Sequence, residues 1–584
     1  MEPSLRIPTR YREETDAFGG LDRKAGAAEG EFAEEENLSS DQYPVLAVRP
    51  PRERIERAGE VRALLGGDGL IYVEGRDLVL PDRRVALDLS PEGEKRLCAM
   101  GSYILVFPDK KYASTLDPQD FGSLEQEFRA SQEVTVTPCD LEGKVRLPDY
   151  SGPDAPEDPA AGEIWLDTAG KVLKQWSAAA GMWVQEETGY LKLEAPAIGA
   201  GFRVYDGVHV SGTAELDGAN TLWAVEEHAL VVSGLRAEAG TLPVGTCLRR
   251  RVPDMDFILE CGNRLWGCRA GKNADGEPVN EIYASRLGDF RNWESYLGLT
   301  TDSYAVSVGA PGAFTGAVAY LGTPIFFKED CLYKIFGSYP AAFRVQMTPC
   351  QGVQPGCGRS LAIAGETLYY KSTLGVCAYD GAMPRQIGQA LGPGPFAQGV
   401  GAAWGSLYYL SMEEAGESSL FVFDGARGIW HRETGLEIRD LAACQGKLYA
   451  ADGEGGLWCL RGGRGTEKVS WLARTGKLDF NQKGRYLIGI ALRLELARFS
   501  RAEVLLRYDG FGPWKQVGAV VGQGTAFTLT VRPRRCNTLE IELRGAGDMR
   551  LYGLTRVRER SCSRSRSRRS LVRMYSSCSA RRQR

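Results

Sequence analysis

Histidine is nearly absent from this chain, with three among 584 residues. Triads built on serine, cysteine or aspartate usually take a histidine as base, so few places remain for one. His209 in DGVHVSG, His228 in EEHALVV and His431 in GIWHRETG have no nucleophile phrase such as GxSxG beside them, and they read as ordinary surface or strand residues. CxxC pairs, HExxH and EF-hand loops are missing too, so no metal site is expected. No cofactor is expected either. GGRGTEKVS at 462–470 lacks the GK[ST] ending of a phosphate loop, GAGFRV at 199–204 lacks the third glycine of a dinucleotide fingerprint, and turns explain both. No stretch approaches the ~18 apolar residues of a membrane span, and the N-terminus offers no signal peptide, which predicts synthesis in the cytoplasm and no membrane partner. The 14 cysteines fall singly in strand-like segments such as RLCAM, EDCLYKI and GLWCL, as buried small hydrophobes do.

Glycine and tyrosine are plentiful instead, at 71 and 24 residues, a mixture that suits many short strands better than long helices. The net charge of −4 is uneven: residues 561–584 hold eight arginines and no acid, so the rest of the chain is more acidic by the same eight. Such a body does not grip phosphate broadly, although packaged DNA could still be touched without sequence specificity.

One phrase recurs: a turn glycine, a short apolar and aromatic strand, a polar turn, then a second strand. It starts at Gly66, Gly101, Gly262, Gly322, Gly365, Gly405 and Gly446, and the last four starts lie 43, 40 and 41 residues apart. That period matches the ~40–50 residues of a four-stranded propeller blade. A β-sandwich would also show short strands and glycine turns, but has no reason to repeat a blade-length phrase. The pattern predicts an all-β chain: a β-propeller of about seven blades with an inserted small β module and a C-terminal β-sandwich-like domain. The expected boundaries are an N-terminal arm at 1–55, propeller at 56–147 and 256–465, insertion at 148–255, sandwich at 466–557, and a disordered Arg/Ser tail at 558–584.

Three groups of residues are candidates for contact or chemistry. Trp165, Trp176 and Trp183 lie on successive strand-like runs of the insertion, where they either stack on glycan or another partner, or fill a small core. Phe18, Leu21, Phe32 and Tyr43 are isolated apolar residues in an acidic, glycine-rich stretch, and read as anchors of an assembly arm. Asp254, Asp256, Glu260 and Asp289 could supply a glycosidase's paired carboxylates, but SRLGDFRNW at 285–293 fails the SxDxGxxW turn of sialidase blades, and solvated loop acids are the default reading.

FGGLDRKAGAAEGEFAEEENLSSDQYPVLAVRPPR at 18–52, the stretch 285–344, WHRETG at 430–435 and PRRCNTLEIELRGAGDMRLYGLTR at 533–556 together resemble tail-associated β-propeller proteins of Firmicutes bacteriophages. The layout is more distantly similar to the tail-nozzle and packaged-DNA stabilisation proteins of short-tailed phages. The resemblance implies a non-enzymatic structural component of a virion, at the tail or head–tail junction. Portal, adaptor or tail proteins would be its partners, and a homo-oligomeric ring its state in the particle. The alternative is a glycan-binding or glycan-cleaving protein of the virion tip. The Arg/Ser tail departs from the family pattern.

Overall fold

A computed structural model describes residues 10–560, apart from 25, 58, 274–275, 480–484, 523–525 and 535; the expected Arg/Ser tail lies almost wholly outside the described residues. The described chain is all-β, relieved only by two short 3₁₀ turns, Pro340–Ala342 and Gly388–Leu391. It divides into two compact units, one spanning 50–467 and the other joining the residues before 50 to those from 468 onward.

The larger unit holds seven antiparallel sets of four strands, six of them separate sheets and the one at 396–433 part of a longer sheet; each set is called a sheet below. Six run consecutively along the chain, at 61–85, 96–123, 257–307, 316–349, 362–386 and 396–433. The seventh takes three strands from 438–461, and its fourth, Glu53–Ile55, comes from ahead of the first sheet, with Ile55 opposite Leu457 and Glu53 opposite Cys459. All neighbouring sheets but the fourth and fifth pack through their first strands, and those two share an apolar cluster that includes Phe327 and Tyr370; the first strand of the seventh, Ile438–Cys444, lies beside Val61–Gly66 of the first. The second strand of most sheets is buried along nearly all its length, as in Tyr103–Phe107, Thr323–Phe327 and Thr367–Ser372, because a sheet covered on both faces buries successive side chains alike.

The recurring phrase is the second and third strands of each sheet, entered through the turn that follows its first strand. Leu321 and Gly322 both have positive φ, at 50° and 72°, as do Gln445 and Gly446, at 49° and 73°, which fits the tight turn that matches strand twist. Six residues after the turn glycine of the last four phrases stands a buried polar group: Lys328, Lys371, Ser411 and Asp452. In the fourth sheet it is Lys328, whose Nζ donates to Asn280 Oδ1 at 2.8 Å and to the carbonyls of Ala310 and Gly312 at 2.7 and 2.6 Å. In the fifth it is Lys371, donating to Gln354 Oε1 at 2.6 Å. Each buried amine ties down an incoming loop whose carbonyls would otherwise lack donors.

The insertion is larger than the sequence predicts. An eight-stranded sheet system begins at Gln126 and ends at Arg250, so 126–147 belongs to it and not to the sheets before it. The physical reason is pairing: Gln126–Arg129 lies against Cys247–Arg250, and Val134–Cys139 against Tyr190–Glu194. A separate four-stranded sheet at 150–185 is nested inside this insertion.

The second unit overturns the expected N-terminal arm. Phe18, Leu21 and Phe32 are 3%, 1% and 1% exposed, and Phe18 and Phe32 enter the same apolar core as Trp471, Leu492, Val504, Ile541 and Leu551. Glu31–Glu36 pairs with Ser470–Thr475, and Arg10–Thr15 with Met549–Arg560. Two sheets of mixed N- and C-terminal strands thus share one core, so 10–49 is part of the domain expected at 466–557. Tyr43, 43% exposed, stays outside that core.

Candidate functional site

The nested sheet gathers all three expected tryptophans. Its strands are Tyr150–Gly152, Ile164–Asp167, Val172–Ser177 and Met182–Gln185. Residues opposite each other on paired strands share a face, and so do residues two apart on one strand. Tyr150 lies opposite Trp165, Trp165 opposite Lys174, Lys174 opposite Gln185, and Trp176 opposite Trp183. Tyr150, Trp165, Asp167, Lys174, Trp176, Trp183 and Gln185 therefore share one face.

On this face Trp183 is the hub. Its ring centroid lies 5.6 Å from that of Trp165, 5.5 Å from Trp176 and 6.5 Å from Tyr150, each edge to face. Trp165 is the buried base, 5% exposed, with Nε1 donating to the Gly152 carbonyl at 3.0 Å. Trp176 and Trp183 remain half-buried, with part of each ring open to solvent. Lys174 Nζ sits 4.6 Å from the Trp165 ring centre and 2.8 Å from Asp167 Oδ2. The Gly170 amide and then Lys174 hold the Asp167 carboxyl below its ordinary 3.8. Glu163 accepts from the Tyr150 hydroxyl at 2.9 Å and the Ala160 amide at 2.8 Å, pinning the linker to the sheet. The result is an aromatic platform flanked by fixed charges, apolar to a ring face and polar at its border. Sequence reasoning finds the tryptophans but misses Tyr150 and Lys174; the alternation of Lys174 with Trp176 on one strand was the available signal for the second.

The other sequence candidates do not converge. Asp254 pairs with Lys110 at 2.8 Å, Asp256 with Arg269 at 2.6 Å, Glu260 accepts from the Asn263 amide at 2.9 Å, and Asp289 from the Arg291 amide at 3.1 Å. His228 Nδ1 accepts from the Ala197 amide at 2.9 Å, and His431 is buried in its sheet. Near the first strands of the second, fifth and seventh sheets, Arg359 bridges Glu94 and Asp440, the latter at 3.0 Å, and donates to the Lys95 carbonyl at 2.6 Å. Burial pushes Asp440 above its ordinary 3.8 while Arg359 pulls the other way. Among the described residues no group of three His, Cys, Asp or Glu is placed to hold a metal ion. Burial pushes the Cys98 thiol up to about 12, far from a nucleophile's range.

No protein-family model matches the chain, and no curated protein does. Among solved structures it is similar to the exo-β-1,3-galactanase of Phanerochaete chrysosporium, at 9% identity over 51% of this chain and 94% of that one, with a TM-score of 0.22. An acylaminoacyl peptidase matches at 12% identity over 54% and 57%, TM-score 0.22, and the endosialidase of phage phi92 at 9% over 98% and 72%, TM-score 0.14. These matches correct one expectation. The solved structures are glycoside hydrolases, an endosialidase and a peptidase, so the chain is not classed as non-enzymatic. At such TM-scores the likeness carries no activity across to it.

Proposed function

We propose that the seven sheets of 50–467 are the blades of one closed β-propeller, and that the chain is a tailed-phage virion component whose nested sheet contacts glycan. Closure is supported by the seventh sheet, which borrows Glu53–Ile55 from ahead of the first and packs beside it. The place in the particle, beside portal, adaptor or tail proteins and in a ring of like subunits, is supported by the resemblance of 18–52, 285–344 and 533–556.

The observation that carries the glycan reading is the half-open pair Trp176 and Trp183, on one face with Trp165, Tyr150 and Lys174. A sugar ring has an apolar C–H face and a rim of hydroxyls, and this platform has an aromatic centre and a charged rim. The test is retention of labelled bacterial cell-wall polysaccharide by the full chain. Trp176→Ala and Trp183→Ala should each weaken it about tenfold, ~1.4 kcal/mol, with melting temperature little changed. Retention equal in the variants, or none by the parent chain, overturns the reading.

A further inference from the structure

A concave feature lies where the insertion leaves and rejoins the seven sheets, a cleft of about 700 Å³. That is inside the ~300–1,000 Å³ typical of small-ligand sites. One wall is the paired strands Gln126–Arg129 and Cys247–Arg250. The other is the third sheet, through Pro278–Ala284, Tyr304–Ser307 and the loop around Trp293. The walls are pinned in place. Arg250, buried, reaches Asp206 at 2.6 Å and donates from Nε to the Leu124 carbonyl at 3.0 Å, and Trp293 Nε1 donates to the Phe290 carbonyl at 2.9 Å. A ligand entering here meets a surface already ordered, so little affinity is lost to rearrangement.

The chemistry of the lining selects the occupant. Tyr296 is 57% exposed, its hydroxyl directed to the Trp293 carbonyl at 3.2 Å, which leaves a ring standing at the cleft edge. Beside it Glu281 accepts from the Tyr283 hydroxyl at 2.7 Å and from Ser307 at 3.2 Å. The lining cations are engaged: Lys110 bridges Glu125 and Asp254, each at 2.8 Å, and Arg249 meets Glu127 at 3.1 Å. An anionic ligand would have to displace those carboxylates, and five acids line the cleft in all. An apolar ligand would strand the same charges without water. A neutral polyol fits both constraints, because each hydroxyl can donate to a carboxylate and accept from an amine or guanidinium while its C–H face lies on tyrosine.

We infer that this cleft binds a neutral oligosaccharide. The inference rests on the glycan reading above but names a different site. It is tested with the full chain on a microarray of neutral and acidic bacterial surface oligosaccharides, with Tyr296→Ala, Glu281→Gln and Trp176→Ala run in parallel. Neutral glycans should bind, and Tyr296→Ala and Glu281→Gln should each weaken them at least tenfold with unchanged melting. Binding of acidic glycans alone, or of no glycan, overturns the inference. Neutral binding that is lost in Trp176→Ala but intact in Tyr296→Ala also overturns it and leaves the aromatic platform standing. The converse pattern supports the cleft and removes the platform.

Discussion

Glu433 takes the middle of a buried ion triad. One carboxylate oxygen meets Arg52 at 2.9 Å and the other Arg461 at 3.0 Å, and all three side chains are 3% exposed. Arg52 also donates to the Thr434 carbonyl at 3.0 Å. Two guanidiniums at this depth are tolerable only while a carboxylate lies between them, because desolvating an unpaired charge costs several kcal/mol. Glu433→Gln should therefore destabilise the larger unit by about 3–5 kcal/mol, measured by urea unfolding followed through tryptophan fluorescence. A loss under ~1 kcal/mol would mean that water or a shifted side chain relieves the arginines. The sequence shows Glu433 within WHRETG, but its partners stand 381 and 28 residues away, and no local pattern announces them.

Elements were legible where turn chemistry and periodicity agree. The phrases from Gly322 and Gly446 mark real hairpins because positive φ at the turn restricts residue choice, and because a strand covered on both faces carries a run of successive apolar side chains. The segment 31–36 defeated the same logic. EFAEEE has one large apolar residue, and three successive acids look solvated, yet Glu34, Glu35 and Glu36 sit opposite Arg474, Ala473 and Leu472, with Arg474 reaching both Glu34 and Glu542. The arginine that accommodates an acid on this strand lies 440 residues on. Phe32, stacked on Phe18 with centroids 6.0 Å apart, is the element's anchor. Phe32→Ala should cost about 3–5 kcal/mol in the unit that contains it, seen as earlier hydrogen exchange in Ser470–Thr475 while Thr367–Ser372 of the other unit keeps its protection. Equal exchange in parent and variant would restore the view of this segment as a dispensable arm.

At the scale of the whole molecule, the insertion's boundary decides which part can be removed. Composition placed the start near 148, because the Pro, Asp and Ala stretch after Tyr150 reads as a linker, whereas that stretch introduces only the nested sheet. The outer boundary is invisible locally: Gln126–Arg129 is a strand by virtue of Cys247–Arg250, more than a hundred residues later. Since Gln126 is the ladder partner of Arg250, about 5 Å from it, the chain ends left by removing 126–250 are the residues next to that pair, and a short Gly/Ser linker closes them. The seven sheets keep every strand in that variant. Removing 150–254 instead strips Val134–Cys139 and Gln126–Arg129 of their partners and bares Val134 and Val136, both fully buried in the intact chain. The first deletion should be soluble and melt cooperatively, and the second should aggregate, as judged by size-exclusion chromatography and calorimetry. If both behave alike, the strands at 126–139 belong with the sheets before them, and the insertion begins where the linker does.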